Sequence, residues 1–214
     1  MEGEQNFEVT SVDENLLPFK TELNMGLSMV FEYSKKARNE RYERSTVVGW
    51  FDKDKAFNRA EIVVSGPNGA PSALDQDVLT VLMSMVVEQK NLVPGFTFAE
   101  ISNRLGMKKG NIKRIKEVIH RLMDIKIKFK DSFYSLQDQK FREHTVHLIN
   151  SVDLKKRIDD HSCKSEFHTV RFDERVGDNL IQGYYGLLDR NTYIALPQGA
   201  VRRLYQIIET RRKL

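Results

Sequence analysis

Residues 97–130 read TFAEISNRLGMKKGNIKRIKEVIHRLMDIKIKFK: two short helical patterns parted by a glycine-centred turn, then a strand with a lysine at every second position. Thr97 and Glu100 form a capping box, Phe98, Ile101 and Leu105 share a helix face, and Gly106 stands where a helix can end in the left-handed conformation. The next helix starts near Lys109 or Gly110. Its spacing predicts a core stripe of Ile112, Ile115, Ile119 and Leu122, with Gly110, Lys113, Arg114, Glu117 and Arg121 opposite. From Ile125 the period becomes two: Ile125, Ile127 and Phe129 point one way and Lys126, Lys128 and Lys130 the other. This is the outline of a winged helix-turn-helix. The predicted wing is a hairpin over roughly 126–150, with DQKFRE (138–143) in its link and HTVHLIN (144–150) as its second strand.

The same stretch concentrates positive charge. Arg104, Lys108, Lys109, Lys113, Arg114, Lys116, Arg121, Lys126, Lys128 and Lys130 stand against Glu100, Glu117 and Asp124. In a helix-turn-helix the second helix enters the major groove, so its outer side chains must be long, polar and free of core duty. The candidates for double-stranded DNA are Lys108, Lys109, Asn111, Lys113, Arg114, Glu117 and Arg121 on the helix, with Lys126, Lys128 and Lys130 on the wing. Arginine can donate twice to guanine, asparagine pairs with adenine, lysine serves a base or a phosphate, and Glu117 can accept from cytosine. The competing account of Glu117 is an intrahelical pair with Lys113 or Arg121. Lysines along a strand also guard exposed sheet edges, so the wing lysines alone decide nothing.

Outward from this stretch, STVVGWF (45–51) and AEIVVS (60–65), with LSMVFEY (27–33), suggest strands of a small sheet. Ser72 with Asp75 caps a helix over about 73–89 that carries Leu74, Val78, Val81, Leu82 and Met85. Beyond the wing come a charged linker (152–165), a strand EFHTVRF (166–172), a helix from about Glu174 to Tyr184 and a strand around Thr192–Leu196. A last helix over about 198–212 is expected to bury Val201, Leu204, Tyr205 and Ile208, leaving Arg202, Arg203, Arg211, Arg212 and Lys213 for solvent or phosphate. The fold class is therefore α+β: a winged helix with an N-terminal hairpin or small sheet and a C-terminal helical extension, over 26–214. Residues 1–25 hold Glu2, Glu4, Glu8, Asp13, Glu14 and Glu22 against Lys20 and read as an acidic, mobile arm.

The 214 residues, 40% hydrophobic, suffice for one core of two packed parts, and the net charge is +4. The single cysteine, Cys163, excludes an intramolecular disulfide and points to a reducing cytoplasm, where a DNA-binding protein would associate with the nucleoid. No apolar run approaches the roughly 18 residues of a membrane span, so no membrane partner is expected. Enzymatic chemistry finds no foothold: nucleophile-elbow, Walker and Rossmann patterns are missing, as is the paired-histidine motif of nicking initiators. His144 with His147, or His161, Cys163 and His168, lack a metal-site spacing, and neither a metal nor another cofactor is expected. Tyr184, Tyr185 and Tyr205 read as packing residues rather than base-stacking platforms.

Four blocks, in order, resemble the bacterial plasmid replication initiator protein A family: NMGLSMVFEYSKKARN (24–39), GAPSALDQDVLTVLMSMV (69–86), GNIKRIKEVIHRLMDIKI (110–127) and NLIQGYYGLLDRNTYIALPQGAVRRLYQII (179–208). The resemblance implies a winged-helix initiator that binds repeated origin sites and helps to recruit the host's replication initiator and helicase. It assigns base reading to Lys109, Asn111, Lys113, Arg114 and Glu117, and wing contacts to Lys126, Lys128 and Lys130. Such initiators commonly continue into a second winged helix, so a sequence ending at Leu214 is expected to be either a fragment or a protein that kept one winged helix for a different job. Three readings stay open: an initiator, a winged-helix transcription regulator with a small effector, and an interaction or effector-binding module that meets no DNA. Symmetric binding sites would imply a homodimer and direct repeats tandem monomers.

Overall fold

Helix α2 (Ala73–Gln89) is the axis of the molecule. Every residue from Leu74 to Val86 is buried, so it is covered all round rather than along one stripe. Its start is fixed by the capping box, in which the Ser72 amide donates to Asp75 Oδ2 at 2.6 Å, and it ends at Lys90 in the left-handed conformation. The computed structural model describes residues 17–27, 41–51, 57–67, 69–107, 111–155 and 167–213.

After α2 the chain makes strand β4 (Gly95–Phe96), helix α3 (Phe98–Arg104) and helix α4 (Ile112–Asp124). Thr97 Oγ1 accepts from the Glu100 amide at 3.0 Å to open α3, and Gly106, at φ +62°, closes the turn behind it. Farther on, β7 (Ile149–Asp153) and β8 (His168–Phe172) pair antiparallel, and β4 pairs with β8, giving the sheet order β4-β8-β7. Helix, strand, helix, helix, strand, strand with the first strand beside the last is the winged-helix arrangement.

A second sheet is built around it. Strands β2 (Tyr42–Phe51) and β3 (Phe57–Gly66) form one hairpin, and β5 (Lys126–Ser135) and β6 (Lys140–His147) another, in the order β2-β3-β5-β6. Val64 faces Ile127 and Ile62 faces Phe129 on the buried side, with the alternating lysines outward. The expected wing hairpin thus exists, but it is inserted between α4 and β7 and its neighbour is β3. Lys140–Glu143, expected in its link, are strand residues, and the turn is Leu136–Gln139.

Four other expectations are corrected. Residues 19–25 are no arm: β1 (Phe19–Glu22) pairs with β9 (Tyr185–Leu188), α1 (Leu23–Leu27) follows, and Phe19, Glu22, Leu23 and Met25 are buried. Residues 1–16, and LSMVFEY apart from Leu27, lie outside the described residues. The segment around Thr192–Leu196 is not a strand but helix α6 (Arg190–Ala195), because Asp189 caps it by accepting from the Thr192 amide at 2.7 Å. Helix α5 (Glu174–Ile181) ends before Tyr184.

The last helix, α7 (Ala200–Lys213), is rotated relative to the expectation. Val201, Leu204 and Ile208 are 44%, 58% and 47% exposed, whereas Arg202 and Arg203 are buried. The reason lies on α2, whose start presents Gln76, Asp77 and Thr80 to α7. Arg202 Nη1 donates to Asp77 Oδ2 at 2.7 Å, Gln76 Nε2 to Gln206 Oε1 at 2.7 Å, and Gln206 Nε2 to Thr80 Oγ1 at 2.8 Å. A polar α2 face selects a polar α7 face, since a buried polar group left without a partner is costly.

Candidate nucleic-acid interface

Helix α4 is held by Ile115, Val118, Ile119 and Leu122, all fully buried, against α2, α3 and β7. Ile112, expected in the same stripe, is 51% exposed. Its angle around the helix suits the core, but it lies in the first turn, past the end of the packed surface. The outer face of α4 therefore starts with an exposed apolar side chain beside Lys113, Arg114, Lys116 and Glu117, and continues to His120, all exposed.

Among the described residues no carboxylate lies within ion-pair distance of Lys113, Arg114 or Lys116. Asn111, at the N-cap, is half-buried. Lys108 and Lys109 lie outside the described residues. The sequence reading did not single out Ile112 or His120 for this face and left Lys116 off the contact set. Their signal was positional, since Lys116 and His120 fall on the same outward arc as Lys113 at about 100° per residue.

Arg121 does other work. Its Nε and Nη2 donate to Asp75 Oδ1 at 3.1 and 3.0 Å, and Asp75 is fully buried at the start of α2. The guanidinium thus pins α4 to the capping box of α2 and is committed there.

Two of the three lysines of β5, Lys128 and Lys130, are also committed. Lys128 Nζ lies 2.6 Å from Glu143 Oε1 on β6, and Lys130 Nζ lies 2.7 Å from Glu61 Oε2 on β3. The hydrogen bond and charge of Glu143 push the Lys128 ammonium pKa upward, which keeps it protonated without freeing it. Lys126 lines a separate cleft of about 360 Å³ with Arg41, Glu43, Asp124 and His147. Around Lys128 and Lys130 the outer face of this sheet is self-neutralised, whereas Lys126, like the cations of α4, has no ion-pair partner among the described residues.

In the winged-helix sheet Arg171 of β8 is exposed, as is Lys155 two residues past the end of β7, and α4 packs on β7. Two other histidines have structural roles: His144 Nε2 lies 3.2 Å from Asp173 Oδ1, and His168 is buried 4.3 Å from the Phe98 ring. Among the described residues no group of three His, Cys, Asp or Glu side chains is placed to hold a metal, and no helix is long and apolar enough to cross a membrane.

The sequence profile of a family described as "Initiator Replication protein, WH1" matches residues 50–209. No curated protein sequence matches the chain. A crystal structure of selenomethionine derivatives of domain 2 and domain 3 of RctB is similar with a TM-score of 0.56 at 11% identity, over 88% of this chain and 70% of that one. A second, of RctB domains 2–3, has a TM-score of 0.45 at 12% identity over 80% and 62% of the two chains. The first of these likenesses is one of fold.

Proposed function

The chain belongs to the family of initiator replication proteins, and from that premise we propose that it binds double-stranded DNA sequence-specifically at repeated origin sites, without catalysing a reaction. The observation that carries this reading is the exposed first half of α4, where Lys113, Arg114 and Lys116 have no acidic partner among the described residues. In a major groove Arg114 would donate to guanine O6 and N7, Asn111 would pair with adenine, and Ile112 would meet a thymine methyl. Lys113 and Lys116 would neutralise phosphates or reach a base, and Glu117 would accept from cytosine.

The wing in this reading is the β7–β8 hairpin, with Lys155 and Arg171 as its backbone contacts. Lys128 and Lys130 belong instead to the neutralised sheet. Host initiator and helicase, and a second copy of this chain, are the partners such an initiator would assemble with; the cytoplasm, at the nucleoid, is where it would act.

Charge reversal tests the assignment. Lys113→Glu with Arg114→Glu should abolish retention of a duplex, while Lys128→Gln with Lys130→Gln should keep affinity within a few-fold, both with unchanged thermal midpoints. If the α4 double variant binds as the wild type does, α4 is not the reading element.

A further inference from the structure

The C-terminal end of α3 is closed from two directions. Within the turn, the Gly106 N–H donates to the Asn103 carbonyl at 3.0 Å and the Met107 N–H to the Ser102 carbonyl at 2.9 Å, the pair of bonds with which a left-handed residue ends a helix. Neither bond uses the Arg104 carbonyl, one of those a helix end leaves without an intrahelical partner. Arg190, the first residue of α6, supplies the donors: Nε bonds the Arg104 carbonyl at 3.1 Å and Nη2 the Asn103 carbonyl at 3.2 Å. A cation at the C-terminal end of a helix also suits its dipole. One turn farther along α6, Ile194 Cγ2 lies 3.5 Å from where a Cβ on Gly106 would stand. The support is itself anchored, since the Tyr193 hydroxyl donates to Asp77 Oδ1 of α2 at 2.8 Å and Phe19 lies under the Arg190 guanidinium at 6.0 Å.

We propose that Arg190 is a positioning residue for the reading helix: from outside the helix-turn-helix it fixes the turn from which the first half of α4 starts. This rests on the reading of α4 as the DNA-binding element. The two ends of α4 are held differently. Its later turns are fixed by the core and by Arg121 on Asp75, but its first buried residue is Ile115, and Ile112, Lys113 and Arg114 before it are exposed. Placement of those three therefore follows from where the chain leaves the turn. Asn111 is four residues past Met107, so it stands within about 14 Å of the end of the motif that Arg190 closes. A planar guanidinium bonding two successive carbonyls sets direction as well as distance. Base reading by Asn111 and Arg114 needs such a rigid second layer of support, whereas phosphate contacts tolerate a small displacement.

The test first selects, from a pool of random-sequence duplexes, the sites that the full wild-type chain enriches. It then compares Arg190→Ala with Arg190→Gln, which keeps one donor and guards against loss of the fold. On a selected duplex both variants should bind on the order of ten-fold more weakly, the worth of one displaced bidentate base contact. On random duplex their affinity and salt slope should stay those of the wild type, because Lys113 and Lys116 still neutralise phosphates. Without DNA, the backbone amide resonances of residues 111–114 should shift. Wild-type affinity for the selected duplex overturns the inference, and so does weaker binding without movement of those amides. An equal loss on both duplexes with a salt slope smaller by about one also overturns it, since Arg190 is then itself a phosphate contact. If the wild type enriches no site, the sequence-specific reading fails, and the amide shifts alone decide whether Arg190 positions α4.

Discussion

Replacing Arg202 by alanine should cost the protein far more than replacing its neighbour Leu204. Arg202 is buried on α7 with Nη1 2.7 Å from Asp77 Oδ2, Nη2 2.9 Å from the Ile194 carbonyl and Nε 3.0 Å from the Leu196 carbonyl. Its guanidinium also lies 5.1 Å from the centre of the Tyr193 ring. The two charged side chains are 7% and 2% exposed. Arg202→Ala leaves Asp77 in the interior without its cation, held only by the Tyr193 hydroxyl and the Gln198 amide, and removal of one partner of such a pair costs about 3–5 kcal/mol. Leu204→Ala removes a side chain that is 58% exposed and should stay within about 0.5–1 kcal/mol. Against a total stability of roughly 5–15 kcal/mol the first change is severe and the second minor.

Urea unfolding reads both directly. With a slope of about 2 kcal/mol per molar, Arg202→Ala should lower the midpoint by about 2 M and Leu204→Ala by less than about 0.5 M. Adding Asp77→Ala to Arg202→Ala should cost less than the sum of the two, because the stranded charge is then removed. A Leu204→Ala loss equal to or larger than that of Arg202→Ala would refute the orientation of α7, and with it the polar contact to α2.

Two further outcomes follow from buried carboxylates. Glu22 is wholly buried, and burial pushes its pKa from 4.5 up to about 7, against the lowering effect of bonds from the Asn179 and Asn24 amides and the Met25 N–H. An acid whose folded pKa is raised is easiest to fold around when protonated, so the contribution of Glu22 to stability is greatest below about pH 4.5 and declines as pH rises to about 7. The decline is at most about 3 kcal/mol. Glu22→Gln should flatten that segment of a stability–pH curve measured by urea unfolding, and an unchanged slope would refute the assignment. Arg121→Ala should lower stability by about 1–3 kcal/mol by stranding buried Asp75, while Lys113→Ala stays within about 0.5 kcal/mol; comparable losses would show that Arg121 is a surface residue.

The helix-turn-helix was legible because its determinants are local. Thr97 caps α3, Gly106 ends it, and Ile115, Ile119 and Leu122 lie within two turns of one another. What was not legible depended on partners far along the chain. The alternation of β5 says that one side is wet, but the strand that pairs with it is β3, and Glu61, which neutralises Lys130, stands 69 residues away. Phe19 and Glu22 look like the end of an acidic arm until β9 pairs with them, more than 160 residues later. On α7 the periodicity finds an apolar stripe correctly and cannot say which stripe faces inward. That choice was made by Gln76, Asp77 and Thr80 on α2. Thr192–Leu196 has the β-branched and aromatic content of a strand, yet the Asp189 cap three residues before Thr192 decides for a helix.

The central claim, that unpaired cations on the first half of α4 hold DNA, is tested most directly by the salt dependence of duplex binding. Lys113 and Lys116, with Lys155 and Arg171 on the β7–β8 hairpin, would make about four phosphate contacts, which predicts a slope of about −3 to −4 in log affinity against log salt. Lys113→Ala with Lys116→Ala should reduce that slope by about 2. A wild-type slope near zero, or the same slope in the double variant, would contradict the account.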